Sequence, residues 1–408
     1  HLYCLVLFYF IIQRKNISIM KRILYVATVD MYARSGGGLA TRAYYAALCK
    51  LYPNKVDLMH AKEYYVPSEK DVDAGDTILT VRKSKVKRFA YFFIGHIHRF
   101  YPEIIDYLKC NVDKYSLCVI NGGVYAGDSI LQIKDLGIKV AVIHHNYECD
   151  YHRDNKTMST FWGHFMYWVF RNERISYLNS DLNFFLTIDD MNKFKDIYGN
   201  SHAPCIRLGC FDYKITPLLE PILPVFNNTL VISGSLKYYQ SEHGILEFCN
   251  NIFLKYIKSN PDFRLILTGS NPTEKIKKMV KKYSANMFLY ENPLDISTCV
   301  KMGSVFLCPV SIGSGLKLRI MDGLKLGMPI ITHINSIRGY EEFREKLYFK
   351  TYFDYASFEE AINIIRNGFA CNKIVSEDIQ NDYNLSFSFH AGVARLMTGL
   401  EKVNYRND

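Results

Sequence analysis

Two hydrophobic patterns alternate along the chain. Short apolar runs rich in β-branched and aromatic residues are separated by longer stretches whose apolar positions recur every three to four residues. The first pattern suits strands buried on both faces, the second amphipathic helices. The run Ile23–Thr28 predicts a first strand, Asp30–Gly38 a loop and Leu39–Lys50 a helix. Further strands are predicted at Val56–Met59, Thr77–Val81, Leu117–Ile120, Val140–His144, Asn183–Leu186 and Cys205–Leu208. Helical patterns lie between most of them, including Thr157–Leu178 and Met191–Tyr198. Near Gly209 the alternation pauses, and the proline-interrupted segment Thr216–Asn228 reads as an irregular connection. A second series of strands follows at Leu230–Ser233, Arg264–Thr268, Met287–Leu289, Val305–Cys308 and Ile330–Thr332.

Strands alternating with helices imply parallel sheets joined by right-handed crossovers. The expected architecture is α/β, with two Rossmann-like domains facing a central cleft. Residues 20–208 form the N-terminal domain in this reading and 209–384 the C-terminal one. Residues 385–408 read as a terminal helix packing back on the first domain. The segment 1–19 begins with an apolar run of about twelve residues, short of the roughly 20 that span a bilayer. It lacks a positive leader and a small-residue cleavage site. It reads as a non-native or upstream lead before Met20, with a short membrane-associated segment as the alternative.

Composition narrows the class. The 408 residues are enough for two domains, and 49% hydrophobic with 22% charged residues are globular values. The formal charge of +10 favours an anionic partner. No nucleic-acid motif accompanies it. Eleven cysteines include no C-x2-C pair and match no zinc pattern, so reduced, mostly buried thiols are expected. In residues 82–101, Arg82, Lys83, Lys85, Lys87 and Arg88 precede Phe89, Tyr91, Phe92 and Phe93. Interleaved cations and aromatics suit an anionic membrane surface or a lipid-diphosphate acceptor. A solvated loop before a core helix is the competing reading. The lysine-rich stretch from Lys275 has the spacing of an ordinary amphipathic helix.

The chemistry concentrates in Cys308–Thr332. Gly313 and Gly315 permit a tight turn and close backbone approach to a ligand. A helix starting near Leu316 would aim its N–H groups and dipole into that turn, which favours a diphosphate. Leu316, Ile320, Gly323, Leu324 and Gly327 share one face, with Arg319 and Asp322 opposite. The cation suits a diphosphate and the carboxylate suits ribose hydroxyls.

This segment resembles the donor-binding motif of GT-B glycosyltransferases of the family 4-like group, which make bacterial surface polysaccharides. Pro309, Gly313, Gly315, Leu318, Arg319, Asp322, Gly327 and Pro329 fall on the motif's fixed places. Asp322 stands where the group has glutamate, and the earlier acid of its E-x7-E version is missing, since Ser311, Ile312 and Ser314 are not acids. Other segments are similar in the same order. The stretch from Ser35 resembles the group's N-terminal glycine loop, with Gly36, Gly37 and Gly38 approaching the donor. His144–Tyr151 resembles its H-N-x-E segment, placing His145 at the cleft. Ser180–Asp190 resembles a strand whose Asp189 or Asp190 caps the next helix, and Ile206–Asp212 the passage into the second domain. Val231–Phe248 resembles that domain's opening, with backbone donors at Gly234 and Ser235 and a cation at Lys237.

The resemblance implies sugar transfer from a nucleotide sugar, UDP- or GDP-linked, to a glycan or lipid-linked acceptor with retention. It implies no metal, and deprotonation of the acceptor by the donor's own phosphate. Catalysis would rest on His145, Arg319 and Asp322. Ser314, Leu316 and Lys317 would join Gly313 and Gly315 at the donor. The expected place is the cytoplasm or the inner face of the cytoplasmic membrane. A sugar-nucleotide 2-epimerase and a non-catalytic binding subunit of the same fold are the alternatives. A classical dehydrogenase is disfavoured, because no G-x-G-x-x-G follows the first strand.

Overall fold

The computed structural model describes residues 21–33, 35–61, 78–81, 86, 90, 95, 103–154, 166–216, 225–313 and 315–403. The basic run Arg82, Lys83, Lys85, Lys87 and Arg88, the segment 1–19 and Ser314 lie outside the described residues.

Seven strands make the first sheet: β1 (Arg22–Ala27), β2 (Val56–Ala61), β3 (Ile78–Val81), β4 (Tyr115–Asn121), β5 (Lys139–His144), β6 (Leu182–Phe185) and β7 (Cys205–Arg207). Their order is β3-β2-β1-β4-β5-β6-β7. Six make the second: β8 (Thr229–Ser235), β9 (Arg264–Ser270), β10 (Met287–Glu291), β11 (Val305–Cys308), β12 (Ile330–His333) and β13 (Phe349–Tyr352), in the order β10-β9-β8-β11-β12-β13. Every pairing is parallel. The two Rossmann-like sheets expected from the alternation are therefore present. In each sheet the order reverses beside its first strand, between β1 and β4 and between β8 and β11. Open α/β sheets bind ligands at the carboxyl ends of strands flanking such a reversal.

The strands form because helices cover both faces. Ile23 to Ala27 are all fully buried, as are Leu230, Val231 and Ile232 of β8. One large cluster of apolar side chains runs through both halves of the molecule, from Tyr25 and Tyr44 to Phe306 and Ile362. A smaller cluster built on Val26, Ile120 and Val140 fills the other face of the first sheet.

Local differences from the sequence reading have identifiable causes. The first helix spans Gly36–Leu51, three residues earlier than expected. Ser35 is extended and its Oγ accepts from the Gly38 N–H at 3.2 Å, so the three glycines form the helix's first turn and not a free loop. The helix Ile188–Tyr198 is capped by Thr187, whose Oγ1 accepts from the Asp190 N–H, and not by Asp189 or Asp190. Asp190 instead accepts from the Tyr147 N–H at 3.2 Å. Strand β13 escaped the sequence reading because Lys350 and Thr351 interrupt its apolar pattern. The helix expected from Thr157 is described over Met166–Asn179.

The chain closes with helices Tyr355–Ala370, Ser376–Phe387 and Phe389–Glu401. The last lies on the first domain, against the helix Gly36–Leu51 and β6. There the Arg395 guanidinium donates to the Leu208 carbonyl at 2.7 Å, and Gly399 leaves room for the Phe184 ring. No helix among the described residues is long and apolar enough to cross a membrane.

Candidate functional site

The carboxyl ends of β1, β4 and β5 face those of β8, β11 and β12 across the interdomain cleft, and the two sides touch. A Cβ on Gly36 would stand 3.3 Å from Leu318 Cδ1, and one on Gly315 would stand 2.6 Å from Asn146 Oδ1. Arg207 spans the cleft with an ion pair to Glu342 at 2.5 Å and a hydrogen bond to the Gly339 carbonyl at 2.9 Å.

On the C-terminal side the turn after β11 has φ of +90° at Gly313 and +84° at Gly315, conformations that only glycine adopts cheaply. The helix that follows spans Arg319–Lys325 and starts three residues later than the predicted Leu316. Leu318 precedes it without a side-chain cap, and Leu316 packs against Gly339. A seven-residue helix beginning at Arg319 aims less of its dipole at the glycines than the expected longer one. Lys317 folds back on the turn, donating to the Gly313 carbonyl at 3.2 Å.

Arg319 is the focus of this side. Its Nη2 donates to Ser241 Oγ at 2.7 Å and approaches the Ser235 carbonyl at 3.5 Å. Its guanidinium lies 3.6 Å from where a Cβ on Gly234 would be, and Gly234 has φ of +112°. Nη1 is buried without a hydrogen-bond partner among the described residues. A buried guanidinium nitrogen left unmatched is costly unless an anion fills the gap. One turn on, Asp322 keeps part of its surface open although protein packs closely around its carboxyl. The surrounding protein and the nearby carboxylate of Asp212 push its carboxyl up to about 6, against the pull of Lys325 and Arg319. Asp212 in turn accepts from Lys325 Nζ and Tyr383 Oη, each at 2.5 Å. Lys237 is exposed, its Nζ 5.4 Å from the centre of the Tyr238 ring.

On the N-terminal side His145 leaves the end of β5 half-buried and points at Asn121 at the end of β4. The Asn121 amide donates to Thr41 Oγ1 at 2.6 Å, so its oxygen accepts from His145 Nε2 at 2.6 Å. That pairing fixes the proton on Nε2 and leaves Nδ1 as an acceptor. Thr41 donates onward to the Gly37 carbonyl at 2.7 Å. The glycine turn, β4 and β5 are thus tied into one network, whose members Asn121 and Thr41 no sequence pattern singled out. Burial lowers His145 to about 4, so the ring is neutral at neutral pH. His144 points the other way. It stacks on Phe185 with centroids 4.9 Å apart and bonds Asn183 Oδ1 at 2.9 Å.

Behind Asn146 sits a group of carboxyls. Glu148 hydrogen-bonds Asn146 and is pushed up to about 7, chiefly by burial. Glu173 accepts from the Glu148 N–H and from Tyr198 Oη, each at 3.0 Å, and burial raises it well above the carboxylate range.

A pocket of about 400 Å3 opens beside Gly313, lined by Tyr239, His243, Ser311, Ile312, Asn335 and Arg338. Tyr239 and His243 belong to the Val231–Phe248 segment and sit on the helix Tyr239–Phe248, while Asn335 and Arg338 carried no sequence signal; they meet only in the fold. Among the described residues no group of His, Cys, Asp and Glu side chains is placed to hold a metal ion.

Residues 227–364 match the family described as Glycosyl transferases group 1. A curated relative from Klebsiella pneumoniae, named an uncharacterized 44.6 kDa protein in the cps region, is 22% identical over 242 residues. That alignment covers 56% of this chain and 57% of the relative, so the chain spans little more than half of that protein's length. Among solved structures, Anabaena HepE in complex with UDP is 10% identical, with a TM-score of 0.65 over 93% of this chain and 99% of that one. A lipopolysaccharide outer core galactosyltransferase, WaaB, is 10% identical with a TM-score of 0.62, covering 94% and 99% of the two chains. A glycosyltransferase from Rickettsia africae is 11% identical with a TM-score of 0.61, covering 95% and 99%. The described residues have the GT-B fold of these structures.

Proposed function

With residues 227–364 in the Glycosyl transferases group 1 family and a GT-B scaffold around them as premise, we propose that the protein transfers a hexosyl group from a nucleotide sugar to a glycan or lipid-linked acceptor. The observation that carries this reading is the buried Nη1 of Arg319, without a partner among the described residues, beside the Gly234–Ser235 end of β8. It calls for an anion where two strand ends and the glycine turn converge. A donor diphosphate there would take charge-assisted hydrogen bonds from Arg319, with backbone groups of Gly313, Gly315, Gly234 and Ser235 close by. Asp322, one turn along, would accept from the ribose hydroxyls. The transferred sugar would lie in the pocket beside Gly313, with His145 approaching it from the other domain when the donor is bound.

As the bond to the sugar breaks, negative charge gathers on the leaving nucleoside diphosphate. Arg319 stabilises that charge more than the ground state, and one such donor is worth about 10²–10³ in rate. His145, neutral, would accept a sugar hydroxyl at Nδ1 and hold the ring as positive charge develops at the anomeric carbon. Both substrates on one face of the sugar, with the departing phosphate taking the acceptor's proton, would give retention. The Klebsiella relative's cps region supports surface polysaccharide as the product class and the cytoplasmic side of the membrane as the place of work.

UDP is the first nucleotide to test, because Anabaena HepE, similar in fold, carries it. Calorimetric titration of UDP and GDP into wild type and Arg319→Ala decides the donor reading. One of them is expected to bind the wild type and to lose about tenfold or more in the variant. No binding of either would end it. Binding without release of nucleoside diphosphate on any glycan acceptor would favour a non-catalytic binding subunit.

A further inference from the structure

Three carboxylates around the pocket beside Gly313 already have partners. Glu247 hydrogen-bonds Ser311 and lies 3.6 Å from His243 Nδ1. Across the cleft, Asp190 accepts from the Tyr147 N–H at 3.2 Å and from Thr187 Oγ1 at 2.6 Å. Asp150 is taken by Lys193 and by Arg153. Arg338 lines the pocket, is exposed, and forms no ion pair with a described residue. It faces Asp190 and Lys193 of the opposite domain. Burial first, and then the Arg338 charge, weaken the hold of Lys193 on its proton. Arg338 is therefore the cation of the pocket wall, since Lys193 is already paired with Asp150 and Asp190 attracts Arg338 without forming an ion pair with it.

We propose that this pocket selects a sugar bearing a carboxylate, a uronic acid, through Arg338. The inference rests on the donor reading above and deepens it by naming the class of sugar. A planar guanidinium pairs with a carboxylate through two parallel N–H···O bonds, which a neutral hydroxymethyl group cannot match. The Asn335 amide already donates to the Ser311 carbonyl at 2.7 Å and so stiffens the wall that carries Arg338. Tyr239, half exposed at the rim, offers a ring face to the apolar side of a pyranose.

The test titrates UDP, UDP-glucose, UDP-galactose, UDP-glucuronate and UDP-galacturonate into wild type and Arg338→Gln. At least one uronate is expected to bind about tenfold or more tightly than its neutral counterpart, the size of one charge-assisted contact. Arg338→Gln should abolish that preference and leave affinity for UDP unchanged. Equal affinities for acidic and neutral sugars in the wild type would overturn the proposal. So would a variant that loses UDP and uronate alike, since Arg338 would then serve the nucleotide. Failure of UDP to bind the wild type counts against the donor reading. The subsite is then decided by free D-glucuronate against D-glucose, where protection of the wild type alone, by glucuronate alone, supports it and equal behaviour refutes it.

Discussion

Asp322 and Asp212 are the pair whose charges bear most directly on the nucleotide. The Asp322 carboxyl titrates near 6 because the cleft removes part of its water and Asp212 lies close. Only the ionised form accepts two ribose hydroxyls. Affinity for UDP-glucose should therefore rise as pH climbs from 5 to 7 and level off above. Asp322→Asn should flatten that profile at an affinity about tenfold lower. Asp212→Asn should move the midpoint down, since a neighbouring negative charge is removed. A nucleotide sugar is the right probe, because a free terminal phosphate titrates in the same range. A flat wild-type profile would take Asp322 out of the site. The two histidines separate chemistry from packing. His145→Ala should lower turnover strongly with UDP affinity unchanged. His144→Ala should cost about 2–4 kcal/mol of stability, because its ring fills a cage of Phe185, Phe194 and Tyr177. Inactivity of a well-folded His144→Ala variant would reverse these assignments.

At the scale of elements, the glycine turn is where two domains constrain one backbone. Gly315 combines a φ of +84° with the Asn146 side chain 2.6 Å from its missing Cβ. Gly315→Ala should cost about 1–2 kcal/mol from backbone strain alone. It should weaken donor binding further, because the turn must retreat from Asn146. Adding Asn146→Ala relieves the clash and leaves the strain, so the double variant should recover part of the affinity and little of the stability. Thermal unfolding and UDP titration on the three proteins separate the terms. If Gly315→Ala binds UDP as the wild type does, the turn does not hold the diphosphate. The neighbouring helix Arg319–Lys325 owes its place to Ile320, Met321 and Leu324, which are buried against the sheet and leave Arg319 and Asp322 to the cleft.

Across the whole molecule, the last helix, Phe389–Glu401, is the strap that returns the chain to the first domain. Leu396 and Leu400 are almost fully buried there, and each contributes about 1.5–3 kcal/mol. Arg395 also satisfies the Leu208 and Ser386 carbonyls, each at 2.7 Å. A chain ending at Phe387 should therefore unfold at a clearly lower temperature or fail to remain soluble. Circular dichroism melting checks this, and an unchanged melting point would make the strap dispensable. The strap and the Arg207–Glu342 pair both join the halves, but the pair is partly exposed and contributes little by comparison.

The sequence alone determined the two parallel-sheet halves, most strand positions, and the Gly313–Asp322 motif. These are local properties: a buried strand must be apolar throughout, and a turn with positive φ must carry glycine. It also placed His145 and His144 on opposite sides, since side chains alternate along a strand. Helix starts were less legible. Capping at Ser35 and Thr187 depends on which side chain reaches which N–H, and the helix after Gly315 shortened because Leu316 packs on Gly339. Only the tertiary structure brought Asn121 to His145, left Arg319 Nη1 without a partner among the described residues, set Asp212 beside Asp322, and gathered Tyr239, Asn335 and Arg338 around one pocket. Those residues are far apart in the chain, and their roles come from proximity, burial and charge, which exist only once both domains have folded against each other.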